Sequence, residues 1–552
     1  MDKDGAKRKT SRQVDHLEYV RLRAPKRDGQ TLDLPASTEV AALLHENLRL
    51  RDAATPSPTQ EDFPLRELRS RARTEAVELA VSWSNQYLPP EAHVNVNSID
   101  VSAPIVFGGH QPTLFHPGVW YKNFRLHQIA QASGATAINM VVDNDLSGAA
   151  SIRFPQRIEG RASIGLVAFD ASGAEVPFEM QRVVDRNTFE LFGQQAADSI
   201  QAYVSNPIIR KLWPEVIRAE KMLSQSPHSA TPGHAIAAGR HVLERAHGMS
   251  TLEVPISRLA GSDSFAKFAK YLIDNLNAFH GVYNQVITRY RKKHGIRSSA
   301  HPVPELGRIE EGGTEWLEAP LWIWTDQTPL RRPMYVRRID SDLEISNSAV
   351  SLAKIPVAAL SDWLIEQNQQ VQATGKGIFV RPRALITTMY ARLLASDLFV
   401  HGIGGAKYDQ LTDQIIEDFF GVSPPGYLTA TGTWRLPTDF PEIHRADITA
   451  RKHTLRNMRF HPETFIASTD AETKRLIESK QSAISGVGQS ALDRHRVIES
   501  ANLELQHLLT QQRATLTDEV DSLSKQIRDS QILNSREFSF CLHPVELINQ
   551  LK

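Results

Sequence analysis

A strand, a polar loop, a helix and a second strand follow one another at residues 101–145, and the same succession returns more than 200 residues later. The first copy runs from the apolar stretch Val101–Phe107 through "FGGHQPTLFHPG" into the helical pattern "WYKNFRLHQIAQAS". It then passes Gly134 and the strand "TAINMVV" before ending at "DND" (143–145). The second has a helix "ALITTMYARLLA" (384–395), a strand "DLFVHG", a loop "GIGGAK", a helix "YDQLTDQIIEDFF", Gly421 as its stop, and an extended "YLTATGTW". A strand–helix–strand unit brings its strands back parallel through a right-handed crossover. Two such units predict an α/β fold: a Rossmann-like parallel sheet core interrupted by a large insertion.

The flanking segments predict five regions. Residues 1–64 comprise a basic tail of about fifteen residues, a hairpin in "YVRLRAPKRDGQTLDLP" turned at Asp28-Gly29, and a helix capped near Ser37 or Thr38. The Pro-rich stretch 53–64 reads as a linker. Residues 65–150 hold a helix, "LRELRSRARTEAVELAVSWSNQYL", and the first half of the core. The insertion, 151–380, mixes helical stretches such as "SDSFAKFAKYLIDNLNAFHGVYNQVITRYRKKHG" with the extended "TEWLEAPLWIWTDQTPLRRPMYVRRID". Residues 381–465 form the second half of the core. In 466–552, Leu509, Leu516 and Leu523 repeat every seven residues, with Val520 and Ile527 on the same stripe. That spacing predicts a continuous dimerising coiled-coil helix over 490–530, with Gly486 and Gly488 as a break before it; the alternative is a long helix packed on its own domain.

Lys plus Arg and Asp plus Glu both count 63, so there is no global positive excess of the kind that attracts nucleic acid. The single cysteine, Cys541, excludes an internal disulfide framework and reads as a small core residue. No run of 18 apolar residues appears, and "MDKDGAKRKTSRQ" carries no apolar signal core. The expectation is a cytoplasmic protein with no membrane and no nucleic-acid partner.

Ligands of open α/β sheets sit outside the carboxyl ends of the strands, where both loops fall. In the first loop, Pro117 suits a first helical turn, so the amides near Gly118 and Val119 would offer an anion the positive end of the helix dipole. His110 and His116 are candidate donors to phosphate, and Lys122 a candidate counter-charge; Gly109, Gln111 and Asn123 join them as candidate cofactor-binding residues. In the second loop, Gly402, Gly404 and Gly405 let the backbone approach a ligand, with Lys407, Tyr408, Asp409 and Gln410 beside them. The spacing is not that of a Walker A loop. Asp143 and Asp145 suit magnesium or a ribose hydroxyl, or for Asp145 a helix cap. No HExxH or Cys/His spacing marks a protein-held metal. In the insertion, Trp316, Trp322 and Trp324 with Glu315 and Glu318 form either an aromatic, acidic wall for a sugar or amine, or core tryptophans.

"FGGHQPTLFHPGVWYKNFRLHQIA" is similar to a segment of the bacillithiol-biosynthesis cysteine-adding enzyme family that opens with a Gly-Gln-Gln loop and runs into a Tyr-x-x-x-Lys helix. "RPRALITTMYARLLASDLFVHGIGGAKYDQLTDQIIEDFFGV" resembles that family's arginine-proline helix and its glycine-rich strand-turn-helix. "LNSREFSFCLHPVELINQL" resembles its closing Arg-x-Phe pattern. The family has Gln where His110 stands, a Ser-Glu-Asp-His-Asp strand end where this chain has "VDND", and a Glu in its glycine loop. The resemblance covers the core segments and tail, not 150–380 or the first hundred residues. It implies a core related to class I aminoacyl-tRNA synthetases, ATP or another nucleotide bound there with or without magnesium, and a C-terminal coiled coil making a homodimer. It also implies an ATP-dependent carbon–nitrogen ligase joining cysteine or a similar carboxylate to an amine, an amino sugar among them. Two other classes remain open: a non-catalytic nucleotide-binding dimeric scaffold, and a glycan-modifying transferase. The second arises because "GHQPTLFHPG" also resembles the His-Gln-Pro loop of a family linked to surface-polysaccharide clusters.

Overall fold

The computed structural model describes residues 17, 22–53, 64–171, 173–225, 231–311, 313–467, 470–486 and 490–552. The expected basic tail, the outer arm of the N-terminal hairpin at 19–21, nearly all of the 53–64 linker and Gly488 lie outside them.

A six-stranded mixed sheet organises the larger of two units, which takes the described residues up to Arg153, Leu166–Arg435 and Arg536–Lys552. Its strands are β1 (Gln30–Leu34), β2 (Ile105–His110), β3 (Thr136–Val141), β4 (Leu252–Pro255), β5 (Leu398–His401) and β6 (Tyr427–Thr433). They lie in the order β1-β6-β5-β2-β3-β4, all pairs parallel except β1 with β6. β2 and β5 are buried on both faces, which is why both read as nearly unbroken apolar runs.

The expected parallel pairing across the insertion holds: Leu398, Phe399 and Val400 align with Val106, Phe107 and Gly108. Both anticipated helix stops hold too, since Gly134 and Gly421 end their helices with φ of 66° and 65°, the left-handed region that favours glycine. Three expectations are corrected. The first strand starts at Ile105 rather than Val101, because Asp100–Ala103 form a turn and Pro104 follows it. Among the described residues the N-terminal segment forms no hairpin ladder: 22–27 hold no strand, Gln30–Leu34 pairs antiparallel with β6, and the Gly29 amide donates to Thr433. The "GIGGAK" loop does not exist as a loop, since the helix Ile403–Ile415 begins one residue after Gly402 and takes those glycines into its first turn.

From β2 the chain crosses through α3 (Pro117–Ser133) to β3 on one side; from β5 it crosses through Ile403–Ile415 to β6 on the other. Strand order therefore reverses between β2 and β5, and both connections leave the carboxyl edge at that reversal. Ahead of the sheet lie α1 (Val40–Ala53) and α2 (Leu65–Ser84). The insertion contributes β4, a helix Pro232–Ala246 and a second, antiparallel sheet. In that sheet the strands Thr314–Thr325 and Arg332–Ile339 lose register between Glu318 and Trp322, where Pro320 can give no ladder donor.

The second unit takes Phe154–Gly165 and Leu436–Ser535. Its helices are Arg445–Phe460, Ala471–Ser485, Ala491–Leu508 and Thr510–Leu533. The expected continuous helix is broken at Leu509, which has φ −100° and ψ 5°. The leucine stripe is used inside the chain. Arg445–Phe460 runs antiparallel to it, as three contacts fix: the Ile443 amide donates to Ser530 (2.8 Å), Arg451 pairs with Glu519 (3.1 Å), and Gln506 donates to Arg459 O (3.0 Å).

Candidate functional site

Lys122 sits where strand order reverses. It is 5% exposed, its Nζ donates to Gly109 O at 2.8 Å, and its stem lies 3.6 Å from the point where a side chain on Gly402 would begin. The sequence brings it there because α3 starts at Pro117, so its second turn passes over the end of β2. The segment after β2 and the helix start after β5 therefore meet. No carboxylate among the described residues pairs with Lys122; burial, with Arg240 adding to it, pushes its pKa down to about 8. A buried ammonium using one of its three donors is costly unless something else satisfies it.

Opposite lies an uncapped helix N-terminus. Gly402 is its N-cap without a side-chain bond, a side chain on Gly404 would meet nothing within 4 Å, and Lys407 is exposed. Gly405 cannot take a side chain, which would approach His401 Nδ1 at 2.7 Å. His401, the last residue of β5, was not singled out by sequence reasoning, although its place at a strand end before glycine was a signal. Its Nε2 donates to Asp409 at 2.7 Å, which leaves Nδ1 unprotonated. Arg392 (2.7 Å) and Thr388 (2.8 Å) also bond Asp409. Against its burial, which would raise it, Arg392 and His401 hold that carboxyl well below the usual range. Asp409 thus anchors His401 and is not open to a cofactor. Tyr408 packs half-buried beside His301, and Gln410 is half-buried.

The two histidines of the first loop differ. His110 Nδ1 lies 3.1 Å from Gln111 O, an acceptor only, so Nδ1 carries the proton and Nε2 offers a lone pair. Burial and nearby Lys122 push its pKa down to about 3, so it is neutral, and its Nε2 is a hydrogen-bond acceptor rather than a cationic donor to phosphate. His116 is the N-cap of α3, its Nδ1 accepting from the Gly118 amide at 3.1 Å. Its Nε2 lies 3.8 Å from Glu537, and Arg536 lies beside Nδ1. Burial pushes it down to about 4, Glu537 opposing and Arg536 assisting.

Gly118 cannot present its amide to an anion as expected: His116 has taken it, and a side chain there would strike Gly432 O at 2.2 Å. Asn123 points into a buried network, donating to Glu244 at 2.8 Å; Trp120 and Arg240 also donate to Glu244. Asp143 is fully buried under His234 (3.0 Å) and Ser257, which hold its carboxyl down against the burial that would raise it. Asp145 is the one strand-end acid at the loop, where Gln111 bonds it, and Arg331 neutralises it at 2.7 Å. Among the described residues no group of three or more His, Cys, Asp or Glu could hold a metal ion.

The insertion adds cations that sequence reasoning passed over. Arg331 and Arg383 both lie over the half-buried Trp322 ring, at 4.6 and 4.2 Å. Arg383 bonds Glu318, yet its buried Nε and Nη1 have no hydrogen-bond partner. Of the expected aromatic wall, Trp316 and Trp324 are core residues. Cys541 is buried, its thiol pushed up to about 12 by burial, and is inert at neutral pH. No helix among the described residues is long and apolar enough to cross a membrane. The sequence matches no family model and no curated protein.

Proposed function

We propose that this protein is an enzyme that binds a nucleotide's phosphates between the loop after β2 and the first turn of the helix Ile403–Ile415, and joins a carboxylate to an amine. One observation carries the reading: a buried lysine without a counter-charge, beside an open helix N-terminus, at the strand-order reversal of a parallel sheet. The same reversal supports a Rossmann-like reading of the core. Lys122 and the amides of Ile403 and Gly404 would hold the phosphates, with Lys407 at the mouth. His110, through its free Nε2, would accept a hydrogen bond from the amine and aim it at the acyl carbon of an acyl phosphate or adenylate; the phosphate or nucleotide leaves, and the amine proton passes to solvent, because a ring with a pKa of about 3 is too weak a base to keep it. His401, held by Asp409, orients the first turn that the phosphates meet. Asp145 is already neutralised by Arg331, so magnesium is expected to arrive with the nucleotide. The amino-sugar acceptor and the cysteine-like donor rest on the resemblance alone, as does a homodimer.

The test is calorimetry of the full chain with MgATP, followed by ATP turnover with cysteine and glucosamine as probes. Lys122→Met should weaken MgATP binding at least tenfold without lowering the melting temperature. His110→Ala should leave MgATP binding within about twofold and remove turnover. A parent protein that binds no MgATP, or a Lys122→Met variant that binds it as well as the parent, overturns the reading.

A further inference from the structure

At the other end of the sheet, four arginines converge. Arg66, Arg69, Ser70 and Arg73 share one face of α2 at helical spacing, and Arg51, in the last turn of α1, joins them around a cavity of about 450 Å³ backed by Val101. This is the amino edge: Val101 precedes β2, and Asp397, which precedes β5, accepts from the Ile105 amide at 2.8 Å. It belongs to neither loop of the crevice.

Among the described residues, two carboxylates pair with these guanidiniums. Asp397 takes Arg73 at 2.7 Å and Arg51 at 3.2 Å, and Asp52 takes Arg51 at 2.9 Å. Arg69 is 9% exposed, and its bonds go to neutral carbonyls, Leu393 O at 2.9 Å and Arg51 O at 2.8 Å. Arg66 is exposed, with one long contact to Asp52 O at 3.5 Å. Among the described residues two positive charges are therefore uncompensated, one on a side chain that the fold has taken almost wholly from water. A desolvated guanidinium with open donors is a strong recogniser of a tetrahedral oxyanion, because two parallel N–H bonds match its edge. The cavity exceeds what a bare phosphate fills and falls in the range of small-molecule sites, about 300–1,000 Å³.

The geometry points to a second anion site, formed by Arg66 and Arg69 with Arg51 at its rim, that takes a phosphate monoester of a small molecule; Arg73, whose nitrogens are already bonded to Asp397, Val101 O and Ala103 O, adds charge behind them. It is independent of the crevice and of the proposed ligase activity.

Calorimetry of the full chain with inorganic phosphate and with ribose 5-phosphate tests it. Both should bind, the ester at least threefold more tightly; preference for inorganic phosphate would overturn the ester assignment. Arg66→Glu should abolish binding of both, and Arg66→Gln should weaken it about tenfold. Arg66 is exposed, so neither change should move the melting temperature. Lys122→Met should leave both affinities unchanged. No binding by the parent, or binding lost in Lys122→Met and kept in Arg66→Glu, overturns the site and leaves the MgATP test of the crevice standing by itself.

Discussion

At the residue scale, two histidines six positions apart have been given different work by their first hydrogen bonds. His116 spends Nδ1 on the α3 amide, so His116→Ala should cost about 1 kcal/mol of stability, a lost N-cap, measured by urea denaturation, with MgATP affinity nearly unchanged. His110→Ala should cost little stability and remove turnover. Protonation gives a further expectation. His110 and His543, with pKa pushed down by burial to about 3, and His116 and His241, to about 4, stay neutral in the fold where the unfolded chain takes up protons near pH 6.5. The unfolded state then binds more protons, so stability is full above about pH 6.5 and falls as pH drops toward 4. Lys122 acts in the alkaline range: its pKa is about 8 folded against about 10.4 unfolded, so its part of stability rises with pH between those values. Denaturation midpoints at pH 4.5, 6.5, 8 and 9.5 check both signs, and Lys122→Met should flatten only the alkaline rise.

At the element scale, the C-terminal helices show what a heptad does and does not specify. Leucines every seven residues specify an apolar seam, not the identity of what packs on it; here Arg445–Phe460 runs along it, burying Val520 and leaving Leu516 and Leu523 half-buried, and the helix breaks at Leu509. Leu505, fully buried, should on replacement by alanine cost about 2–5 kcal/mol while leaving the sedimentation coefficient unchanged, since its contacts lie within one chain. The parallel pairing of β2 with β5 was legible because apolar runs with glycine stops are set by local chemistry. The partner of β1 was not, since Gly29 announces a turn without saying which strand the chain meets after it. The crevice was legible as a place, from two loops at strand ends. Its chemistry was only half legible, because the roles of Asp143, Asn123 and Gly118 are set by His234, Glu244 and Gly432, all more than 90 positions away in sequence.

At the scale of the whole molecule, Asp397 ties three distant segments. It accepts from Arg51, Arg73 and the Ile105 amide, so one carboxylate holds α1, α2 and the start of β2 to the start of β5. Asp397→Ala would leave Arg73 buried without its ion pair and should destabilise the fold by about 3–5 kcal/mol, read by guanidinium denaturation. It should also slow refolding, because the contacts it closes span 292, 324 and 346 residues.

The last stretch of chain packs back on the first loop. The Phe540 amide donates to Phe115 O, its ring stacks near Trp120, and Arg536 lies against His116. During synthesis, the cap of α3 is therefore finished by residues that leave the ribosome more than 400 residues later. At about 5–20 residues per second, the carboxyl edge waits some tens of seconds, open and incomplete, for its final piece. A nascent chain stalled before Arg536 should thus expose the Phe115 and Trp120 rings to chaperones that the released protein no longer attracts.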